Sequence, residues 1–346
     1  MGAELEYGEI ESVLEQIVGK NVGFEQLVNE AISGGKLFSI TSWTEILGNV
    51  ISEQFQAHGQ MIGYLVILII SAAMLFNITK AFKNRQISDM GFYMIYLLFF
   101  LIMMKSFGVC YEITESVIKD LVDFMKVLMP TYLLATAVSA YRTSAVVYYE
   151  GFLLLVYYLQ KIVSALLLPG IRCYILISML GYLGTEEIFS KGREGLRKLI
   201  LWGLKAIIGV GAGMQMIQGM ISPAIDEMKQ SMLSKGISSL GNIGNVAQNV
   251  TDVILGSGAL LKNGIGAVAA VMIVTMCLVP VVEVACYGLF YQVLAAVAEP
   301  ISDKRLTGLI AQTGDGIGLL VKTLFTVCAL FLLTIAIVCV TTGGIG

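Results

Sequence analysis

The chain has 346 residues and a net charge of −3; 57% of its residues are hydrophobic and only 14% are charged. Soluble domains carry about 25% charged residues, so a mean hydropathy of +0.82 excludes an ordinary soluble domain. No basic patch points to nucleic acid.

Residues 1–60 carry nine acidic side chains against Lys20 and Lys36, which leaves the rest of the chain net positive. Residues 4–56 read as a water-facing helical region. Leu5, Ile10, Val13, Leu14, Ile17 and Val18 form one apolar stripe, interrupted at Gly19. Phe24, Leu27, Val28 and Ile32 form a second, and Thr44 to Phe55 a third. Such helices lie on a bilayer surface, bind a partner or cap their own chain; the sequence leaves all three open. Residues 1–20 are acidic and broken by glycines, unlike a secretory leader. A leader already removed and insertion directed by the first span are both open.

Met61 to Ala81 has no charge before Lys80. At about 1.5 Å per residue, some 20 apolar residues match the hydrocarbon core. Apolar stretches recur at 91–110, 128–141, 144–183, 201–221, 264–298 and 316–341. The expected fold class is all-α: a polytopic helical membrane protein with about six to eight spans and kinked or broken helices. The stretches 129–183 and 264–298 each read as one kinked crossing or several shorter ones. Between the spans, Tyr111–Lys126 predicts an amphipathic helix with Ile113, Val117, Ile118, Leu121 and Phe124 on one side. Residues 222–262 are too polar to span and rich in Gly, Ser and Ala. They read as an external loop with two interfacial helices, or as a re-entrant segment buried in protein. Gly256, Gly258 and Gly264 are its candidates for tight backbone packing or positive φ.

Charge sets the expected topology. Lys80, Lys83 and Arg85, then Lys191, Arg193, Arg197 and Lys198, then Lys304 and Arg305 mark three loops. The positive-inside rule assigns these loops to the cytoplasm. The acidic N-terminal region, Tyr111–Lys126 and Ser222–Lys262 are then outside. The organisation becomes an acidic extracytoplasmic region (1–60), two spans with the amphipathic helix (61–128), a first membrane repeat (129–221), and the external or re-entrant segment with a second repeat (222–346).

The repeat rests on IVSALLLP, ending at Pro169, and IVTMCLVP, ending at Pro280, 111 residues later. A charged loop follows each, then a span with a lysine, Lys205 or Lys322. This reads as a parallel duplication, with chance as the competing account. Each proline lacks an N–H donor and should kink or break its stretch. Lys161, Arg172, Lys205, Glu283 and Lys322 lie in apolar stretches, where a charge costs roughly 2.5–3.5 kcal/mol at a helix centre. These, with the prolines and glycines, are the structural or conduit candidates. Arg172 and Glu283 each stand three residues after a repeated proline, which makes them a candidate ion pair. Independent snorkelling is the alternative.

Catalytic, cofactor and metal constellations are missing from the sequence, and no enzyme is expected. His58 is the one histidine, and no GxSxG, HExxH or phosphate-loop pattern occurs. Cys110, Cys173, Cys277, Cys286, Cys328 and Cys339 lie in or beside apolar stretches without a CxxC, so they read as packing residues rather than a disulfide framework.

DFMKVLMPTYLLATAVSA at 123–140, QGMISPAID at 218–226, VTDVILGSGALLKNGIGAVAAV at 250–271, CLVP at 277–280 and EPISDKRLTG at 299–308 occur in that order. Together they resemble the stage III sporulation protein AE family of endospore-forming bacteria, from about residue 60 to the end. The resemblance implies a multi-pass protein of the mother-cell membrane around the forespore. It implies a component of the mother cell–forespore channel, or feeding tube, required for endospore development. Its partners are expected to be other proteins of that complex in the same membrane and the intermembrane space, membrane lipid, and further copies of itself as a candidate homo-oligomer. The family supplies no catalytic residues. The rival reading is a secondary transporter or permease for a small solute, which the repeat, the glycine-rich segment and the intramembrane charges would suit.

Overall fold

The computed structural model describes residues 85–140, 157–182, 189–238 and 242–342, and scattered positions at 28, 63, 67, 69–71, 73, 74, 151, 154 and 155. Within these helices, side-chain surroundings are described over 90–132, 157–182, 189–213, 216–217 and 264–336. The expectations for the acidic region and for the span at 61–81 fall, save those scattered positions, outside the described residues.

Five long elements and one short one follow in order: α1 (Arg85–Ala140), a π turn (Val163–Leu167), α2 (Leu168–Gly181), α3 (Ser190–Ser238), α4 (Asn242–Ala298) and α5 (Lys304–Thr342). Among the described residues there is no strand. Among the described residues, four segments are long and apolar enough to cross a membrane: Met90–Tyr132, Tyr157–Gly181, Gly264–Ala298 and Lys304–Ala336.

The first difference from expectation is continuity. The stretches 91–110, 111–126 and 128–140 belong to one 56-residue helix, α1. No glycine or proline falls between Gly108 and Pro130, so nothing in the backbone chemistry ends the helix where polarity changes. Its inward stripe runs through Phe92, Tyr96, Phe99, Met103, Cys110, Thr114, Val117, Leu121, Phe124 and Leu128, all buried. The expected amphipathic face is thus the continuation of the apolar one. The outward face changes character. Met90, Met94, Leu97, Leu98, Leu101 and Val109 are exposed before residue 110, whereas Glu112, Glu115, Lys119 and Lys126 are exposed after it.

The two prolines behave differently. Before Pro169 the helix widens into the π turn, where the Leu168 N–H donates to the Val163 carbonyl, five residues back. Pro169 has no N–H to offer, and the widened turn lets α2 restart with proline in its first turn. At Pro280, by contrast, α4 continues unbroken for 57 residues. The 264–298 stretch is therefore one helix rather than several crossings. Residues 222–238 and 242–262, expected to be an external or re-entrant segment, are helical extensions of α3 and α4.

α5 is the most enclosed span: 61% of its apolar window is buried, against 33% for α1. It packs on α1, α2, α3 and α4. Its antiparallel contact with α4 is backbone-close. A Cβ placed on Gly314 would stand 3.2 Å from the Gly288 carbonyl oxygen and 3.1 Å from Gln292 Cγ, and small residues permit this approach in helix pairs. Against α2, Gly308 makes room for the ring of Tyr182. Thr313, Thr323 and Thr334 are buried in α5 and donate to the carbonyls of Leu309, Leu319 and Leu330 at 2.8–2.9 Å. Their hydroxyls are thereby satisfied without water. The span-length segments of α4 and α5 contain 35 and 33 residues.

The cysteine expectation is corrected here. Cys277 on α4 and Cys328 on α5 form a disulfide, with Cα atoms 6.5 Å apart and a sequence separation of 51. The antiparallel hairpin brings the two positions together, a proximity that spacing along the chain does not reveal. Cys110 is buried, Cys286 half-buried and Cys173 exposed, all as free thiols. A protease site inserted in the 299–303 connection provides the check. On a non-reducing gel the two halves should stay joined after cleavage and part on reduction. The Cys328→Ser protein should part without reductant; wild-type halves that separate under non-reducing conditions would disprove the bond.

Described basic side chains gather at one end of the bundle. The Arg305 guanidinium lies 4.3 Å from the Phe92 ring centroid, joining the starts of α5 and α1. Arg193 lies 5.6 Å from the ring of Tyr182, which itself packs on Gly308. The beginning of α1, the end of α2, the start of α3 and the start of α5 thus share this basic end.

Candidate functional site

Within the span-length helices, polar side chains concentrate in a seam between α1 and α4. Ser106, Cys110 and Thr114 follow one another at four-residue steps on α1, so they share one face. Glu283, Tyr287 and Tyr291 do the same on α4. The two sets meet in antiparallel register: Cys110 lies within electrostatic reach of Glu283 and Tyr287, and Tyr291 lies beside Ser106. Ser106, Cys110, Thr114, Tyr287 and Tyr291 are buried, and Glu283 is half-buried. Thr114 donates to the Cys110 carbonyl at 2.8 Å. Ser106 Oγ and Tyr291 Oη are both buried and lie against one another across the seam, each the natural partner of the other's hydroxyl.

Arg172 joins this seam from α2. Its guanidinium stands 5.1 Å from the centroid of the Tyr111 ring, a cation–π distance. Tyr111 is the neighbour of Cys110, which faces Glu283. The structure therefore brings Arg172 and Glu283 to successive residues of α1, from two different helices.

The other candidates are more scattered. Lys161 is exposed, with Nζ 3.4 Å from Tyr157 Oη and 5.6 Å from that ring's centroid. Lys205 on α3 and Lys322 on α5 are exposed. Among the described residues, no hydrogen bond or ion pair ties these three to the seam. Pro169 follows the π turn, and Pro280 lies inside α4, one turn before Glu283. Gly264 is buried at the start of its span. Gly256 and Gly258 lie on α4, with surroundings outside the described residues. Sequence reasoning missed Ser106, Cys110, Thr114, Tyr287 and Tyr291. Their signal was the repeated four-residue step of polar side chains within apolar runs. Among the described residues no three His, Cys, Asp or Glu side chains cluster as a metal site. The arrangement gathers charge, hydroxyls and a thiol between span-length helices.

Outside the spans, Glu194 and Lys198 on the first turns of α3 form an ion pair of 2.7 Å. The ammonium lowers the Glu194 carboxyl below its ordinary value.

Residues 22–342 match the family model described as Stage III sporulation protein AE. A curated relative, stage III sporulation protein AE of Bacillus subtilis (strain 168), is 21% identical over 320 residues, covering 91% of this chain and 79% of the relative. No solved structure matches the chain. With the family model spanning nearly the whole sequence, the chain belongs to the stage III sporulation protein AE family.

Proposed function

We propose that this protein is a multi-pass, non-enzymatic component of the mother cell–forespore channel complex, set in the mother-cell membrane around the forespore. The observation that carries this reading is the outward face of α1 beyond residue 110. There Glu112, Glu115, Lys119 and Lys126 are exposed on a helix continuous with a lipid-compatible span. Charges of this kind cost roughly 2.5–3.5 kcal/mol each at the centre of a helix in lipid. The face therefore belongs against water or a partner protein, as a conduit wall or assembly surface would be. Glu115→Leu combined with Lys119→Leu should abolish capture of the other channel-complex proteins from sporulating cells and leave the melting temperature of the purified protein unchanged. Undiminished capture would remove this role for the face.

In this proposal the basic end is cytoplasmic and the acidic N-terminal region lies in the intermembrane space. Cysteines placed at Glu11 and Arg193, in a cysteine-free background, should react with an impermeant reagent from opposite sides of the membrane. Reaction from the same side overturns the topology.

The seam favours a second reading, a secondary transporter for a small solute, because ionisable and hydroxyl groups at membrane depth line many solute paths. The α2–α3 and α4–α5 hairpins also run in the same sense, which suits a parallel duplication. Flux of solute through liposomes holding this protein alone supports the transporter; no flux, with stable capture of sporulation partners, supports the channel component.

A further inference from the structure

A second polar feature lies at the basic end, apart from the seam. A cavity of about 330 Å³ opens between α2, the start of α3 and α5, lined by Tyr174, Ser190, Lys191, Arg193, Glu194, Arg197 and Gln312. Three of these side chains are cationic. Its acidic lining residue, Glu194, is already held by Lys198 at 2.7 Å. Asp315 is the further acid nearby, acting on Tyr174 together with Arg193 and Arg197. Counting it still leaves the cavity positive. Arg193 and Arg197 are four residues apart and so share one face of α3, both within electrostatic reach of Tyr174.

The floor of the cavity is neutral and polar. Tyr174 Oη donates to Gln312 Oε1 at 3.2 Å, which leaves the Gln312 amide nitrogen free to donate. Beside Tyr174, the fully buried Ser178 hydroxyl lies against the Tyr174 hydroxyl and supports it from within α2. Planar guanidinium groups and N–H and O–H donors converging on one space suit the oxygens of a phosphate.

The rim is apolar. Leu180, Phe189, Leu199, Trp202 and Ile301 are exposed around the same end, Trp202 at 69%. An exposed tryptophan one to two turns from a basic cluster is the pattern of a membrane–water interface. From this geometry we infer that the cavity binds the phosphate of an anionic phospholipid headgroup, with the acyl chains lying along the Leu199–Trp202 side. Basic pockets between helices at such an interface recognise headgroups of this class.

The test uses the purified full-length protein in neutral detergent, titrated with cardiolipin and read by native mass spectrometry. Replacing Arg193 and Arg197 together by glutamine should weaken binding by at least ~tenfold, since each cation near the headgroup is worth about 1 kcal/mol. Lys191→Gln, on an exposed side chain, should weaken it by ~fivefold and keeps the test informative if the double variant does not fold. Lys198→Gln, which frees the Glu194 carboxylate beside the cavity, should also weaken binding. Millimolar inorganic phosphate should leave cardiolipin binding unchanged. Equal cardiolipin binding by wild type and Lys191→Gln overturns the inference. Displacement of the lipid by inorganic phosphate also overturns it, and assigns the cavity to a soluble phosphate instead.

Discussion

Gly314→Leu should prevent the α4–α5 hairpin from closing. The new Cβ alone would meet the Gly288 carbonyl oxygen at 3.2 Å, Gln292 Cγ at 3.1 Å and the Gln292 backbone nitrogen at 3.4 Å. Two of these neighbours are main chain and cannot rotate away. The rest of the leucine side chain must then push the helices apart, at a cost of about 3 kcal/mol, the upper part of the usual range for inserted methylenes. On the same helix, a Cβ added to Gly318 would meet nothing within 4 Å, so Gly318→Leu should melt like wild type. The measurement is thermal unfolding in detergent, paired with the yield of the Cys277–Cys328 bond. Gly314→Leu should lower both, because the bond lies on the same interface. Matching melting curves for the two variants would show that the close approach of Gly288 and Gly314 carries no stability.

The second large effect concerns Arg172 and Glu283. Arg172 rests on Tyr111, and Glu283 lies beside Cys110. We propose that the two charges stabilise one another across this turn of α1. With Arg172 exposed and Glu283 half-buried, removing one charge should cost up to roughly 2.5–3.5 kcal/mol, the cost of a charge at a helix centre in lipid. Arg172→Leu and Glu283→Leu should therefore each destabilise more than the two together, and the double-mutant cycle should show coupling above ~1 kcal/mol. Tyr111→Phe should leave that coupling in place, because the ring face rather than the hydroxyl meets the guanidinium. Strictly additive single effects would dissolve the pair and leave two separately placed charges.

Helix identity and apolar character were legible in the sequence; helix length was not. The change at residue 110 reads as an end because lipid-facing residues give way to charged ones. Yet the inward stripe from Phe92 to Leu128 keeps its helical spacing across that change, and only packing reveals the stripe as continuous. Pro169 and Pro280 look alike locally, but one follows a π turn and the other sits in an unbroken helix. Arg172 and Glu283 stood out because a charge in an apolar run is conspicuous. Ser106, Cys110 and Tyr291 did not, since single hydroxyls and thiols are common in such runs, and their meaning depends on which helix faces them. The Cys277–Cys328 bond was hidden for the same reason: separation along the chain says nothing of an antiparallel crossing.

The length of α4 and α5 has a mechanical consequence. Their span-length segments of 35 and 33 residues measure about 50 Å along their axes, whereas the hydrocarbon layer is about 30 Å thick. Tilt alone would have to exceed about 50° to hide the excess, beyond the range of about 0–40° found for membrane helices. The disulfide and the glycine crossing bind the two helices into one strut, so neither can lean independently of the other. Thickening the bilayer by ~20 Å is not an available remedy when each ångström of mismatch carries a penalty. The surplus length therefore rises out of the lipid at the basic end, where α5 carries Lys304, Arg305, Gln312 and Asp315 and presents polar groups to water or to a neighbouring protein.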